Sequence, residues 1–281
     1  MTGVSIIVVT YNSREHIDAC LESLTRHPPR IGHDTLIVDN ASPDGTAAAV
    51  RRRWPAVDVI DAGANVGFAR GSNIGIRHTS APLVLLLNPD SEVRPGALDA
   101  LVDALESRPG AAVAGPRLVD EQGRAELSFG SMIGPLAEAR QKVLVQGSSR
   151  GLPFIRGYVE RLTRQAREVD WVSGACLLVR RADAEAVGLM DERYFMYAED
   201  VDFCAAIRAR GGRILFTPAA EVVHLRGKSA ASAPGTVERA YRESQLAFYA
   251  KHHPGWAPLL RAYLKFRCRL PDRRIGPPGS H

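Results

Sequence analysis

With 281 residues, 45% of them hydrophobic, the chain can bury one large core or two fused subdomains. Its net charge of +5 permits anionic partners without choosing among nucleic acid, a membrane surface and phosphorylated substrates. The cysteines Cys20, Cys176, Cys204 and Cys268 are scattered with no C-x-x-C pair, which argues against a disulfide framework or zinc cluster and for reduced thiols of a cytoplasmic protein. No secretory leader is evident, and no run approaches the ~18 apolar residues of a spanning helix, so a soluble or peripheral protein is expected.

The run Val4 to Val9 is apolar and rich in β-branched residues, a buried strand that ends in the loop Thr10-Tyr11-Asn12-Ser13. Ser13 can cap a helix carrying His16, Ile17, Cys20, Leu21 and Leu24 at helical spacing, with Pro28-Pro29 as its stop. A second strand, Thr35 to Val38, delivers Asp39 and Asn40 to its carboxyl end before the turn Ser42-Pro43-Asp44-Gly45. A helix over Thr46 to Arg53 and a strand around Val57 to Ile60 repeat the β-α-β unit, which predicts parallel strands covered by helices.

The segment from Gly63 to Gly75 then places Gly63, Gly67, Gly71 and Gly75 four apart, with Asn65, Arg70 and Asn73 between them. Such glycines either free a helix N-terminus to face phosphate or let a helix pack tightly on a sheet. The spacing is not G-x-G-x-x-G, so a dinucleotide fingerprint fails. The strand Leu83 to Leu87 runs into Asn88-Pro89-Asp90, oxygen side chains two apart at a strand end; these suit a hard divalent cation and also suit an ordinary turn.

Residues 131 to 167 have weak periodicity, with Gly147-Ser148-Ser149 at the centre and several arginines around it; they read as a partly helical, mobile insertion. Trp171 to Val179 reads as a loop plus strand, 191 to 196 as a loop, and Ala198 to Arg210 as a helix ended by Gly211-Gly212. Glu199, Asp200 and Asp202 crowd its first turn, more acid than the helix dipole needs. Residues two apart diverge by about 200° on a helix, so Asp200 and Asp202 cannot aim at one substrate atom. Strands over Arg213 to Thr217 and Glu221 to Val223 lead to His224. A Ser/Ala/Gly-rich link or lid over 227 to 235 follows, then a helix near Val237 to Lys251. Residues 261 to 274 carry Arg261, Lys265, Arg267, Arg269, Arg273 and Arg274 against Asp272, with aromatic and apolar residues interleaved. That tail is a solvated helix or a basic amphipathic segment for an anionic membrane; no nucleic-acid motif accompanies it.

In order along the chain, Ile7 to Ser13, Val38 to Ser42, Asn65 to Asn73, Leu87 to Asp90, Ser173 to Ala175, Ala198 to Asp202, and His224 with Gly227 and Ser229 resemble inverting family 2 glycosyltransferases, and within them the rhamnosyltransferase-like branch. The resemblance implies a GT-A fold: α/β, a Rossmann-like nucleotide-binding half over 1–115 fused to an acceptor-binding and catalytic half over 116–230 around one mostly parallel mixed sheet, then a helical basic tail over 231–281. It implies donor contacts from Thr10, Tyr11, Asn12, Asp39, Asn65, Gly67, Arg70, Asn73, Asn88 and Asp90, with Asp39 at the base imide and Arg70 at the diphosphate. Asp90 and His224 would bind a divalent cation, Mg²⁺ or Mn²⁺, Asn88 replacing the first carboxylate of the family's D-x-D motif. Asp200 would be the general base, and Trp171, Ser173, Gly174 and Glu199 would meet the acceptor.

The expected reaction is sugar transfer, with dTDP-L-rhamnose the leading donor and UDP-galactofuranose, UDP-GlcNAc and GDP-mannose open. The expected acceptor is a glycan, on a polyprenyl diphosphate or free, in surface polysaccharide synthesis, with peripheral membrane contact through the tail; self-association is left open. A non-catalytic nucleotide-binding scaffold is the reading of another class, though it has no need of acids at both Asp90 and Asp200.

Overall fold

The computed structural model describes residues 3–225 and 234–267. Gly227, Ser229, most of the 227–235 link, and Cys268, Arg269, Asp272, Arg273 and Arg274 of the tail lie outside the described residues.

The first half alternates strand and helix: β1 (Gly3–Thr10), α1 (Ile17–Arg26), β2 (Gly32–Asp39), α2 (Thr46–Arg53), β3 (Asp58–Asp61), α3 (Gly67–His78) and β4 (Leu83–Leu87). Then follow β5 (Ser91–Val93), α4 (Ala97–Glu106), β6 (Ala111–Val119), β7 (Phe129–Gly130), α5 (Pro135–Ser149) and α6 (Pro153–Leu162). The remainder is β8 (Arg167–Val169), β9 (Trp171–Val172), β10 (Cys176–Arg180), α7 (Arg181–Ala186), α8 (Glu199–Ala209), β11 (Arg213–His224), α9 (Pro234–His252) and α10 (Ala257–Phe266).

The nine-stranded sheet runs β3-β2-β1-β4-β10-β6-β11-β5, with β8 on β11. The four strands β3, β2, β1 and β4 are mutually parallel, β6 and β11 are parallel, and β10 is antiparallel to both its neighbours. The sheet runs unbroken across residue 115, which falls inside β6.

Alternation along β1 explains the layers. Ile6 and Val8 pack with Ile17, Leu21 and Leu24 of α1 and Leu98, Leu101 and Leu105 of α4. Ile7 and Val9 face the other way, into a cluster shared with α3, α8 and α9. Strands covered on both faces by helices read as continuous apolar runs because neither face meets water.

Two details differ from the sequence expectation and one sharpens it. Ser13 does not cap α1 through its side chain: its carbonyl accepts from the His16 and Ile17 amides, and the helix starts at Ile17. Residues 131–167, expected to be partly helical, hold two substantial helices, and Gly147 sits in α5 where a Cβ would collide with Ile155 of α6. The two expected strands before His224 are one, β11, broken in register against β6 between Thr217 and Glu221. That irregularity lets its far end, Val222 to His224, pair with β5.

Candidate active site

The carboxyl ends of β1 and β2 build the first corner. Asp39, 2% exposed, accepts on Oδ1 from the Thr10 hydroxyl at 2.7 Å and the Ser42 hydroxyl at 2.7 Å, and on Oδ2 from the Ser42 amide at 2.9 Å. A carboxylate has about four lone-pair sites, so Asp39 is held in place while Oδ2 keeps capacity for another donor. Asn12 adopts φ +53° and gives its amide to Ser42 Oγ. The side-chain oxygens of Asn12 and Asn40 are buried without a partner, and Tyr11 is 40% exposed.

The glycines of helix α3 serve its packing on the sheet. A Cβ on Gly71 would lie 2.7 Å from Val9 Cγ1, and one on Gly75 would run into Ile7, so these glycines seat the helix on β1. Gly67, at φ +83°, abuts the Phe195 carbonyl. Its amide is taken by Asn65 Oδ1 at 3.2 Å, and the Phe68 amide by Phe195 O at 2.8 Å. Two amides at the helix start are therefore occupied by the chain's own oxygens. Asn73, expected at the donor, is held in the core instead. It is 1% exposed; its NH₂ donates to Met190 O and Glu192, and its oxygen accepts from the Met190 amide. Arg70 lies 3.7 Å from Glu192 on the exposed side.

Pairing of β5 with β11 sets His224 opposite Ser91, and the Leu225 amide donates to Asp90 O at 2.9 Å. His224 Nε2 is 3.5 Å from Asp90 Oδ1 and 3.5 Å from the Asn88 amide, while Nδ1 is 3.4 Å from Glu126 Oε2. Burial pulls the His224 imidazole down, but Asp90 and Glu126 outweigh it and raise it to about 9. Burial likewise opposes ionisation of Asp90, yet its hydrogen bond to His224 and the charge there hold it below the usual carboxylate range. Among the described residues no cluster of three or more acidic, His or Cys side chains forms a complete cation cage. The pair Asp90 and His224 still suits Mg²⁺ or Mn²⁺, which take a few protein ligands and complete their shell with substrate phosphates and water. A half-turn of the Asn88 amide adds a neutral oxygen.

Helix α8 supplies the acids. Tyr197 and Ala198 enter it with φ +73° and +66°, a strained lead-in for residues with side chains. Asp200 accepts from the Gly174 amide at 2.8 Å through Oδ2 and from the Val201 amide at 2.8 Å through Oδ1. Gly174, expected at the acceptor, thus holds the Asp200 carboxylate. Burial raises Asp200 against these two amides. Glu199, 7% exposed with Oε2 unpartnered, is pushed well above the usual range by burial and by the neighbouring Asp200 charge. Asp202 points elsewhere, as the helical geometry requires: it bonds Tyr194, Lys251 and His252. Trp171 is 7% exposed with its indole N–H on Ser131 O, a buried support instead of an acceptor platform. Ser173 Oγ accepts from the Ala175 amide. Sequence reasoning missed the brace formed by α9, in which Ser244 donates to Met196 O and Tyr197 meets Tyr241 edge-on.

Beside His224 a cavity of about 730 Å³ is walled by residues 120–127, the end of α5 and the start of α6.

The family model described as glycosyl transferase family 2 matches residues 5–188. The chain belongs to that family. This glycosyltransferase is 35% identical over 96% of its length to an N-acetylglucosaminyl-diphospho-decaprenol L-rhamnosyltransferase of Mycobacterium tuberculosis, covering 93% of that protein. It is 24% identical to the rhamnosyltransferase WbbL of Escherichia coli, over 79% of this chain and 83% of that one. Among solved structures, it matches a mannosyltransferase of Pyrobaculum calidifontis, in complex with GDP-Man and Mn²⁺, at TM-score 0.61 and 20% identity, over 92% of this chain and 68% of the other. The fold is GT-A, as the resemblance implied.

Proposed function

We propose that this enzyme transfers L-rhamnose from dTDP-L-rhamnose, with inversion, to a hydroxyl of a polyprenyl-diphosphate-linked saccharide in surface polysaccharide synthesis. The observation that carries the choice of sugar and acceptor is the 35% identity, end to end, with the mycobacterial rhamnosyltransferase. In this reading Thr10, Tyr11, Asn12 and Asp39 receive the nucleoside, and Asn88, Asp90 and His224 hold a divalent cation. Ser173 and Glu199 border the acceptor.

The acceptor hydroxyl gives its proton to Asp200 as its oxygen bonds to the anomeric carbon; the bond from that carbon to the diphosphate oxygen breaks and dTDP leaves. Gly174 and Val201 fix both carboxylate oxygens of Asp200, so the base is oriented before substrate binds. Its raised proton affinity suits a base working near neutrality. A bound Mg²⁺ or Mn²⁺ supplies positive charge where the leaving diphosphate develops negative charge. Glu199, buried beside Asp200, favours its protonated form and would donate a hydrogen bond to an acceptor oxygen.

Helix α10 and its flanks expose Trp256, Leu259, Tyr263 and Phe266 beside Arg261, Lys265 and Arg267, a composition suited to an anionic bilayer carrying the acceptor lipid. No helix among the described residues is long and apolar enough to cross a membrane.

The test is a donor panel of dTDP-L-rhamnose, UDP-galactofuranose, UDP-GlcNAc and GDP-mannose, each with Mg²⁺, Mn²⁺ or chelator, in binding and hydrolysis assays. Metal-dependent turnover of dTDP-L-rhamnose alone is expected. Turnover of another donor replaces the sugar and leaves the chemistry; binding without turnover, with the lipid acceptor present, favours the scaffold reading.

A further inference from the structure

We infer that Glu126 is the positioning residue that sets the His224 ring for cation binding, fixing its proton on Nδ1 so that Nε2 is presented to the metal beside Asp90. This rests on the reading of Asp90 and His224 as the cation pair.

The two nitrogens of His224 face different carboxylates: Nε2 is 3.5 Å from Asp90 Oδ1, and Nδ1 is 3.4 Å from Glu126 Oε2. An imidazole can ligate through Nε2 only when its other nitrogen carries the proton, and a metal-bound His commonly gives that proton to a carboxylate. Glu126 is the carboxylate within reach of Nδ1.

Its own placement is rigid. The Glu126 amide donates to Leu118 O at 2.9 Å, and the adjacent Ala125 bridges Val119, so the residue is stitched to the end of β6. Within the turn below it, Asp120 accepts from the Gln122 and Arg124 amides at 2.9 Å, which closes the 120–124 loop on itself. The side chains of Glu126, His224 and Asp90 are 12%, 11% and 5% exposed, so water competes weakly for these contacts. His224 is therefore presented from the end of β11 and Glu126 from the segment that turns back antiparallel along the end of β6, while Asp90 comes from the turn before β5. Glu126 also lines the 730 Å³ cavity, on the opposite edge of the ring from Asp90.

The experiment compares the full chain with Glu126→Gln, Glu126→Asp and His224→Ala, measuring Mn²⁺ binding by electron paramagnetic resonance with dTDP present, and the His224 tautomer by ¹⁵N NMR with Mg²⁺ and dTDP. Glu126→Gln should weaken Mn²⁺ by about 10- to 100-fold and turn a single Nδ1–H tautomer into a mixture, with dTDP affinity without metal unchanged. Glu126→Asp should recover part of the Mn²⁺ affinity, which a loss of folding would not permit. Unchanged Mn²⁺ affinity and tautomer in Glu126→Gln, with Mn²⁺ lost in His224→Ala, overturns the role of Glu126 alone. Mn²⁺ binding that survives His224→Ala overturns the cation reading itself, and the inference with it.

Discussion

Replacing Asp200 by Asn separates catalysis from folding and from donor binding. The Asn oxygen can still accept one of the two amides now shared between Gly174 and Val201, each at 2.8 Å. The new NH₂ faces the other amide and leaves a buried donor without an acceptor, which costs about 1–3 kcal/mol. Removing a negative charge beside buried Glu199 works in the opposite direction, so the fold should change little in stability. The rate should not survive: a general base contributes ~10²- to 10⁴-fold, which is about 3–5 kcal/mol of barrier at 1.36 kcal/mol per decade. Steady-state kinetics with saturating acceptor should show that loss in kcat, with donor Kd unchanged by calorimetry. The wild-type kcat should fall on acidification at a pH above that of an ordinary Asp, because burial raises Asp200; the variant should lack that limb. For stability the sign is reversed. A carboxylate that holds its proton more tightly folded than unfolded costs nothing below its unfolded pKa and costs its full amount above the raised folded value. Wild type should therefore lose stability on raising the pH through that interval, and Asp200→Asn should lose less. Normal turnover with weakened donor binding, or an acid limb retained in the variant, refutes the assignment.

Two other perturbations probe the frame around the site. Gly75→Ala should destabilise by up to about 2 kcal/mol: overpacking against Ile7 costs ~1–3 kcal/mol, and the helix propensity of Ala returns about 1. Gly32→Ala, where a Cβ meets open space, should stay within about 0.5 kcal/mol in the same urea titration; equal effects would deny α3 its close seat on β1. For the membrane face, Leu259→Ser with Phe266→Ser should reduce co-sedimentation with vesicles of anionic lipid by about 100-fold or more, since each large apolar side chain gains ~1.5–3 kcal/mol on burial. Undiminished binding would remove α10 from the contact.

The sequence carried the framework because local pattern dictates it. Strand β4 and helix α2 coincide with their expected bounds, and Asp39 and Asp90 stand where apolar runs stop. The divergence of Asp200 from Asp202 was legible too, being a property of any helix. What escaped was pairing over long separations. Asn73 looks like a ligand on its helix because its partner, the Met190 backbone, is 117 residues away. Trp171 looks like an acceptor platform until the Ser131 carbonyl 40 residues earlier is set on its indole. The α3 glycines are ambiguous in isolation, since phosphate approach and tight packing both demand a missing side chain; only contact with Ile7 and Val9 decides. Glu126 had no motif around it, and a turn acid becomes meaningful only once β11 brings His224 beside it.

Lys251 and His252 reach back 49 and 50 residues to Asp202, which is 2% exposed, and Ser244 reaches Met196 just ahead of the acids that open α8. Helix α9 is thus a buttress to the start of α8, not an appendage. Anyone shortening the chain for expression, or grafting its last helices onto a relative, would have to cut after His252, because an earlier stop leaves a buried anion facing vacated ground.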